Sequence, residues 1–261
     1  MHPHSGVASP PSWLADPGMG LRLSEAAAAC GPLLHTVLGS ENLVGERICN
    51  DTRILEPGDV FVALSSEKRD GHAFVPAALA KGARFVIVSQ WPLEGVLGPE
   101  QGALVVRDVD AALVRLARWW RTRFPIPAVG IGGGVGKTTT KETVAALLAT
   151  RYGVEHVLKT PANWNDLRGL SLTLLGLRGH HQRAVLEMGM DRPGEVTQLA
   201  EVGRPRWGIV TAVSATHLEY FPSMSDLIAT ERGLVESLPE DGLAILNDND
   251  RLVRDLSLIH I

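Results

Sequence analysis

Cysteine is nearly absent from this chain: 261 residues hold only Cys30 and Cys49, and neither falls in a C-x-x-C spacing. That argues against a disulfide framework or a thiolate metal site, and predicts two reduced, buried thiols in a protein of the cytosol. Positive charge is not in excess either, with 25 Lys and Arg against 29 Asp and Glu and a formal net charge of -4. Nothing in that balance draws the chain to nucleic acid or to a membrane surface, so an anionic ligand must be held by a local site. No apolar run approaches the length of a membrane span, so no membrane insertion is expected. The first 20 residues carry Pro, Gly and Ser but neither a basic n-region nor an apolar h-region. Residues 1–20 are expected to form a flexible leader and not a signal peptide.

Hydrophobic residues at 45% and charged residues at 21% are enough to build real cores, and the length allows one large or two ordinary domains. Ordered pattern begins at Leu21 with the short helix "LRLSEAAAAC". A strand, a Pro57-Gly58 turn and a strand from Asp59 to Leu64 follow. Phe74 to Lys81 is helical in character, Gly82 stops it, and "RFVIV" and "ALVVRDV" supply two more strands. Residues 21–107 therefore read as a small α/β domain. In "DVDAALVRLARWWRTRF", Leu113, Leu116, Ala117 and Trp120 repeat at helical spacing, which puts the Trp119-Trp120 pair in core packing.

From Ile126 a unit repeats: an apolar strand, a polar cluster at its carboxyl end, then a helix. "IPAVGI" leads into a glycine loop, "RAVLEMGM" carries Glu187, "RWGIVTAV" runs toward His217 and "GLAILNDND" ends at Asn247. The carboxyl ends of strands in an open parallel sheet share one edge, where ligands bind. The fold class is thus α/β: a small N-terminal domain, then a P-loop central domain, 108–261, with a mostly parallel sheet flanked by helices. The loop "AVGIGGGVGKTTTK" departs from the G-x-x-x-x-G-K-[ST] spacing, because Ile131 stands five before Gly136. Its context, after a strand and opening a helix, is nonetheless that of a phosphate cradle. Glycines let successive backbone N–H groups converge, and the helix N-terminus adds positive potential. Lys137 would reach the β- and γ-phosphates, and Thr138 would place a hydroxyl on Mg²⁺. Taken singly, Glu187 could be a solvated cap, His217 a satisfied histidine, Asn163 and Asn165 turn residues, and Arg53 half of a surface ion pair. The His180-His181 pair reads as a solvated loop.

The loop, with Gly133 three before Gly136 and its Thr-Thr-Thr-Lys tail, resembles that of the Mur ligase family. The resemblance extends to "NDTRILEPGDVFVAL", "DGHAFVPAALAKGA", "TPANWNDLRGLSLTLL", "VLEMGMDRPGE", "THLEYFPS" and "GLAILNDND", in the family's order over roughly residues 21 to 252. It implies a UDP-binding domain at 21–107 and an ATP-binding central domain at 108–261, with ATP and Mg²⁺ as cofactors. Gly133, Gly134, Val135, Gly136, Lys137, Thr138 and Thr139 would hold the ATP phosphates, and Asn247 would lie near the adenine. Thr138, Glu187 and His217 would hold metal, and Lys137, Glu187 and His217 would be the catalytic set. Asn163 and Asn165 would line the substrate side. Thr52, Arg53 and the Asp70-Gly71-His72 turn would contact the UDP part of the substrate. The best match is the branch that joins D-Ala-D-Ala to UDP-N-acetylmuramoyl-tripeptide through an acyl phosphate, as a cytoplasmic monomer acting on small molecules. Other amide ligases of the superfamily, including folylpolyglutamate synthases, and a non-catalytic nucleotide-binding homologue are the alternatives.

The pattern departs from the family in three places. Gly132-Gly133-Gly134 replaces Thr-Gly-Ser, and Ala162, Asp166 and Ala212 stand where Gly, Asn and Asn are common. Alignment puts Arg232 where the family carries a carbamoylated lysine, which implies that Glu231 supplies the carboxylate or that Arg232 meets phosphate directly. The family's carboxyl-terminal domain has no match after Asp250, which implies a chain that binds nucleotide better than it ligates.

Overall fold

The computed structural model describes residues 20–91 and 97–257, without the side chains of 215–217, 255 and 257. Residues 1–19, nearly all of the expected leader, lie outside the described residues. The chain divides into two compact units, one through Val109 and one from Asp110.

In the first unit, β1 (Leu21–Arg22) runs into α1 (Leu23–Cys30), followed by β2 (Leu34–Leu38), β3 (Val44–Gly45) and β4 (Ile48–Cys49). Then come β5 (Val60–Val62), α2 (Val75–Ala80), β6 (Phe85–Val88) and β7 (Gly102–Val106). The sheet order is β2-β7-β6-β5-β4, with β1 and β3 paired separately. Strands β4 to β7 are parallel, and β2 closes one edge antiparallel to β7. β5, β6 and β7 are buried at every position, as continuous apolar strands in a parallel sheet should be. Their core joins Phe61, Val86, Val88 and Val105 to Val75, Ala78 and Leu79 of α2. Both cysteines are buried, and neither is in a disulfide.

The second unit is entered through α3 (Val109–Thr122) and continues with β8 (Ala128–Gly132), α4 (Lys137–Tyr152), β9 (Val157–Lys159), α5 (Leu167–Leu175) and β10 (Arg183–Glu187). It ends with α6 (Glu195–Gly203), β11 (Trp207–Val210), α7 (Met224–Glu236), β12 (Leu243–Leu246) and α8 (Arg251–Ser257). All five strands are parallel, in the order β12-β11-β8-β10-β9. From β8 the chain crosses toward β9, and from β11 it crosses the opposite way to β12. These neighbouring strands therefore form the switch point of the sheet, where the loops after them part and leave a crevice.

Two expectations need correction. Trp120 is core, with its indole N–H donating to the Leu177 carbonyl at 3.2 Å. Trp119 is only half-buried, and the Arg123 guanidinium lies 5.2 Å from its ring centre. The His180-His181 pair is not solvated throughout. His181 is buried, and its Nδ1 accepts the Arg178 N–H at 2.9 Å, so the ring closes the turn from inside.

Candidate active site

The loop between β8 and α4 is shaped by Gly133 and Gly136, at φ 121° and 86°, a region that favours glycine. At Gly133 a Cβ would stand 2.2 Å from Thr211 Oγ1, so the loop also needs a bare backbone against the end of β11. Thr211 Oγ1 donates to the carbonyls of Gly132 at 3.2 Å and Val135 at 2.6 Å, and the Gly134 N–H donates to Ala212 O at 2.7 Å. The two loops of the switch point are thus bonded to each other. The first turn of α4 lies beyond, with backbone N–H groups that have no intrahelical acceptor. Lys137 is buried, and its ammonium folds back on the Gly133 carbonyl at 2.5 Å.

The missing hydroxyls at 132 and 134 have a spatial counterpart. A Cβ on Gly134 would meet Ser214 Oγ at 2.2 Å, and one on Gly132 would meet Glu231 Oε2 at 2.9 Å. Side chains from the β11 loop and from α7 therefore occupy the room that larger loop residues would need. Glu231 faces the loop, and Arg232 lies about 100° farther round the helix. Glu231 is buried, and neither carboxylate oxygen reaches a hydrogen-bond partner among the described residues. Burial pushes its carboxyl up to about 7. Lys137 and the nearby Gly133 N–H, the latter outside good hydrogen-bond geometry, pull the other way.

Glu187, at the carboxyl end of β10, is the centre of the cleft and is 1% exposed. Its backbone N–H donates to Thr160 Oγ1 at 3.0 Å, which fixes the strand end. Oε1 accepts from Thr138 Oγ1 at 3.1 Å and from Asn165 Nδ2 at 3.0 Å. Oε2 makes no hydrogen bond and faces the Lys141 ammonium at 3.5 Å. Gly134, Gly136, Lys137, Thr138, Thr139, Asn163, Asn165 and Glu187 line one cleft of about 240 Å³. A buried carboxylate beside a threonine hydroxyl suits a hard divalent cation, and Mg²⁺ held with a nucleotide needs only one or two carboxylates besides phosphate. No group of three or more His, Cys, Asp and Glu able to hold a metal occurs among the described residues.

The remaining expected residues fall elsewhere. Asn247 lies past the end of β12, where its Nδ2 donates to Thr211 O at 2.8 Å, so it borders the β11 loop and not the cleft lining. His217 falls in the turn Ala215–Tyr220, and its side chain lies outside the described residues. Thr52, Arg53 and the Asp70-Gly71-His72 turn follow β4 and β5, at the carboxyl edge of the first unit's sheet. There Arg53 is exposed and forks onto Asp51 at 2.5 to 2.9 Å, while Thr52 O accepts from Lys81 at 2.6 Å. His72 Nδ1 pairs with Asp70 at 2.7 Å, and its Nε2 accepts the Ser89 N–H at 2.9 Å. The His72 backbone and ring, together with the Ser65 hydroxyl, hold the Asp70 carboxyl down to about 2.

Sequence reasoning missed Lys141 and Ala162 as site features. Lys141 is fully buried, one turn after Lys137 on α4. Ala162 sits at φ 44°, a conformation suited to the glycine common at that position. The (i, i+4) lysine spacing and the Gly-to-Ala departure were the signals available.

Residues 131–258 match the family profile described as Mur ligase middle domain. Over 223 residues the chain is 39% identical to a UDP-N-acetylmuramoyl-tripeptide–D-alanyl-D-alanine ligase of Synechocystis sp., covering 85% of this chain and 48% of that protein. The Escherichia coli protein of the same name is 36% identical over 219 residues, covering 84% and 47%. Among solved structures, a MurF from Acinetobacter baumannii superposes with a TM-score of 0.78 at 26% identity, over 92% of this chain and 52% of that one. A MurF ligase from Thermotoga maritima in complex with ADP gives 0.71 at 29% identity, over 84% and 50%. The chain spans about half the length of the curated relatives it matches.

Proposed function

Since this chain belongs to the Mur ligase family, we propose that it supplies the nucleotide- and UDP-precursor-binding parts of a D-alanyl-D-alanine-adding ligase of peptidoglycan precursor synthesis. The observation that carries the reading is the convergence of Lys137, Thr138, Asn165 and Glu187 on one cleft at the carboxyl ends of β8 and β10. ATP would lie along the loop, its phosphates on the N-terminus of α4 and on Lys137, with Asn247 toward the base. Thr138 and Glu187 would hold Mg²⁺, joined by His217. The cation, when bound, would neutralise charge on the phosphoryl group in transfer.

A carboxylate is a poor electrophile, so the tripeptide's terminal carboxylate must be activated before an amine attacks it. Phosphorylation by ATP gives an acyl phosphate, and the amine of D-Ala-D-Ala displaces phosphate from it. The protein's contribution to such a reaction is chiefly position and charge. Lys137 meets phosphate oxygens, Glu187 offers its carboxylate to the metal, and Asn163 and Asn165 present amides to the incoming carboxylate. In the first unit Thr52, Arg53 and the Asp70–His72 turn would hold the UDP part. Both ring nitrogens of His72 are already engaged, so the backbone of that turn and Arg53 offer the available donors. The reaction is that of a monomer on small molecules in the cytoplasm.

Calorimetric titration with ADP and Mg²⁺ tests the loop, with Lys137→Ala as the control. Loss of a charge-assisted contact worth about 2–3 kcal/mol weakens binding by on the order of 100-fold. Equal affinity in the variant would overturn the reading. Titration with UDP-N-acetylmuramoyl-tripeptide tests the first unit, where Arg53→Ala should weaken binding.

A further inference from the structure

Lys141 has no role in the contacts expected of the phosphate loop, yet none of its surface is exposed. Its ammonium donates to Ala162 O at 2.7 Å and lies 3.2 Å from Glu142 Oε1 and 3.5 Å from Glu187 Oε2. An ammonium has three N–H donors, and three oxygens surround this one. Ala162 is one of two non-glycine residues at positive φ among the described residues, so its turn must be held by its surroundings. Asn163 and Asn165 follow directly, and Asn165 bonds back to the same Glu187 carboxylate.

We infer that Lys141 is a positioning residue that ties together two walls of the cleft, the Ala162 turn carrying Asn163 and Asn165, and the Glu187 carboxylate facing Thr138. The linkage is a matter of geometry. Its consequence for metal and nucleotide rests on the function proposed above. Without the ammonium, the Ala162 carbonyl loses the donor that pins it. Glu187, buried and with one oxygen unbonded, loses the positive charge that sets its orientation. A lysine that merely filled space would contribute independently of both.

The test uses the full chain with Lys141→Met, Ala162→Gly and the double variant. In thermal unfolding without ligand, Ala162→Gly should raise Tm in the parent and raise it less, or not at all, once Lys141 is gone. Additive Tm shifts would overturn the linkage. In ADP titrations, Mg²⁺ should tighten binding to the parent, and Lys141→Met should lose about 10- to 100-fold of that gain, the size expected when a metal ligand loses its supporting partner. Lys141→Arg should recover most of it. A gain kept within about twofold in Lys141→Met would overturn the positioning role. Should Lys141→Met fail to fold, Lys141→Gln keeps a donor for Ala162 but no charge. It should preserve the Tm coupling and lose the Mg²⁺ gain, and retention of that gain would overturn the role equally. A parent that binds no ADP would sink the nucleotide reading, while the unfolding cycle would still decide the linkage.

Discussion

The two polar clusters at the strand ends of this protein are built on opposite plans. In the first unit, Asp70 accepts from the Ser65 hydroxyl and the His72 N–H, and His72 in turn reaches Ser89. Every charge there has an internal partner, and the cluster's bonding capacity is spent on fixing its own turn. In the second unit, Glu187 keeps one oxygen without a hydrogen bond and Glu231 keeps two, all buried. Buried carboxylate oxygens without partners are costly, and a fold retains them where something else is to be met. The first cluster is satisfied from within, whereas the second leaves acceptors without hydrogen bonds, with only the Lys141 ammonium 3.5 Å from Glu187 Oε2.

The largest way to break this contrast is Glu231→Gln. The folded carboxyl titrates at about 7, above its ordinary value of 4.5. Its contribution to stability is therefore full below the ordinary value and is lost as pH rises through 7. The parent should lose up to about 3 kcal/mol between pH 4 and pH 8 from this group, and the variant should not. Chemical denaturation at both pH values reads the difference, and equal slopes in parent and variant would show that Glu231 finds a partner in solution. A smaller effect is expected from His72→Ala in the satisfied cluster. It removes the ring's hydrogen bonds to Asp70 and Ser89 and should cost about 1–2 kcal/mol in unfolding while leaving Mg²⁺-dependent ADP binding untouched.

Much of the second unit was legible because buried parallel strands read as unbroken apolar runs, and a Gly-Lys-Thr that follows such a run and opens a helix marks a phosphate loop. β8, β10 and β11 and their polar ends follow from that alone, and β12 shows the same apolar run although it is largely exposed. Two edge strands, β2 and β9, were not legible. β2 is only partly covered and shows neither period, and β9 contributes just Val157, Leu158 and Lys159 before the Thr160 turn. Which of Glu231 and Arg232 faces the loop turns on one residue of helix phase, which the packing of α7 against β8 and β11 sets and a pattern of residue types does not. His181 was misread for a related reason. A polar turn looks solvated until a ring nitrogen is needed to cap a buried N–H. Lys141 stayed hidden because its partners are a carbonyl 21 positions away and a carboxylate on another strand.

The central claim is that Glu187 is held with one oxygen free of hydrogen bonds so that a cation can join it to a nucleotide. Calorimetric titration of ADP into Glu187→Gln, with and without Mg²⁺, tests that most directly. The account predicts that Mg²⁺ tightens ADP binding in the parent and that the variant loses about 10- to 100-fold of this gain. An undiminished Mg²⁺ effect in Glu187→Gln would contradict it.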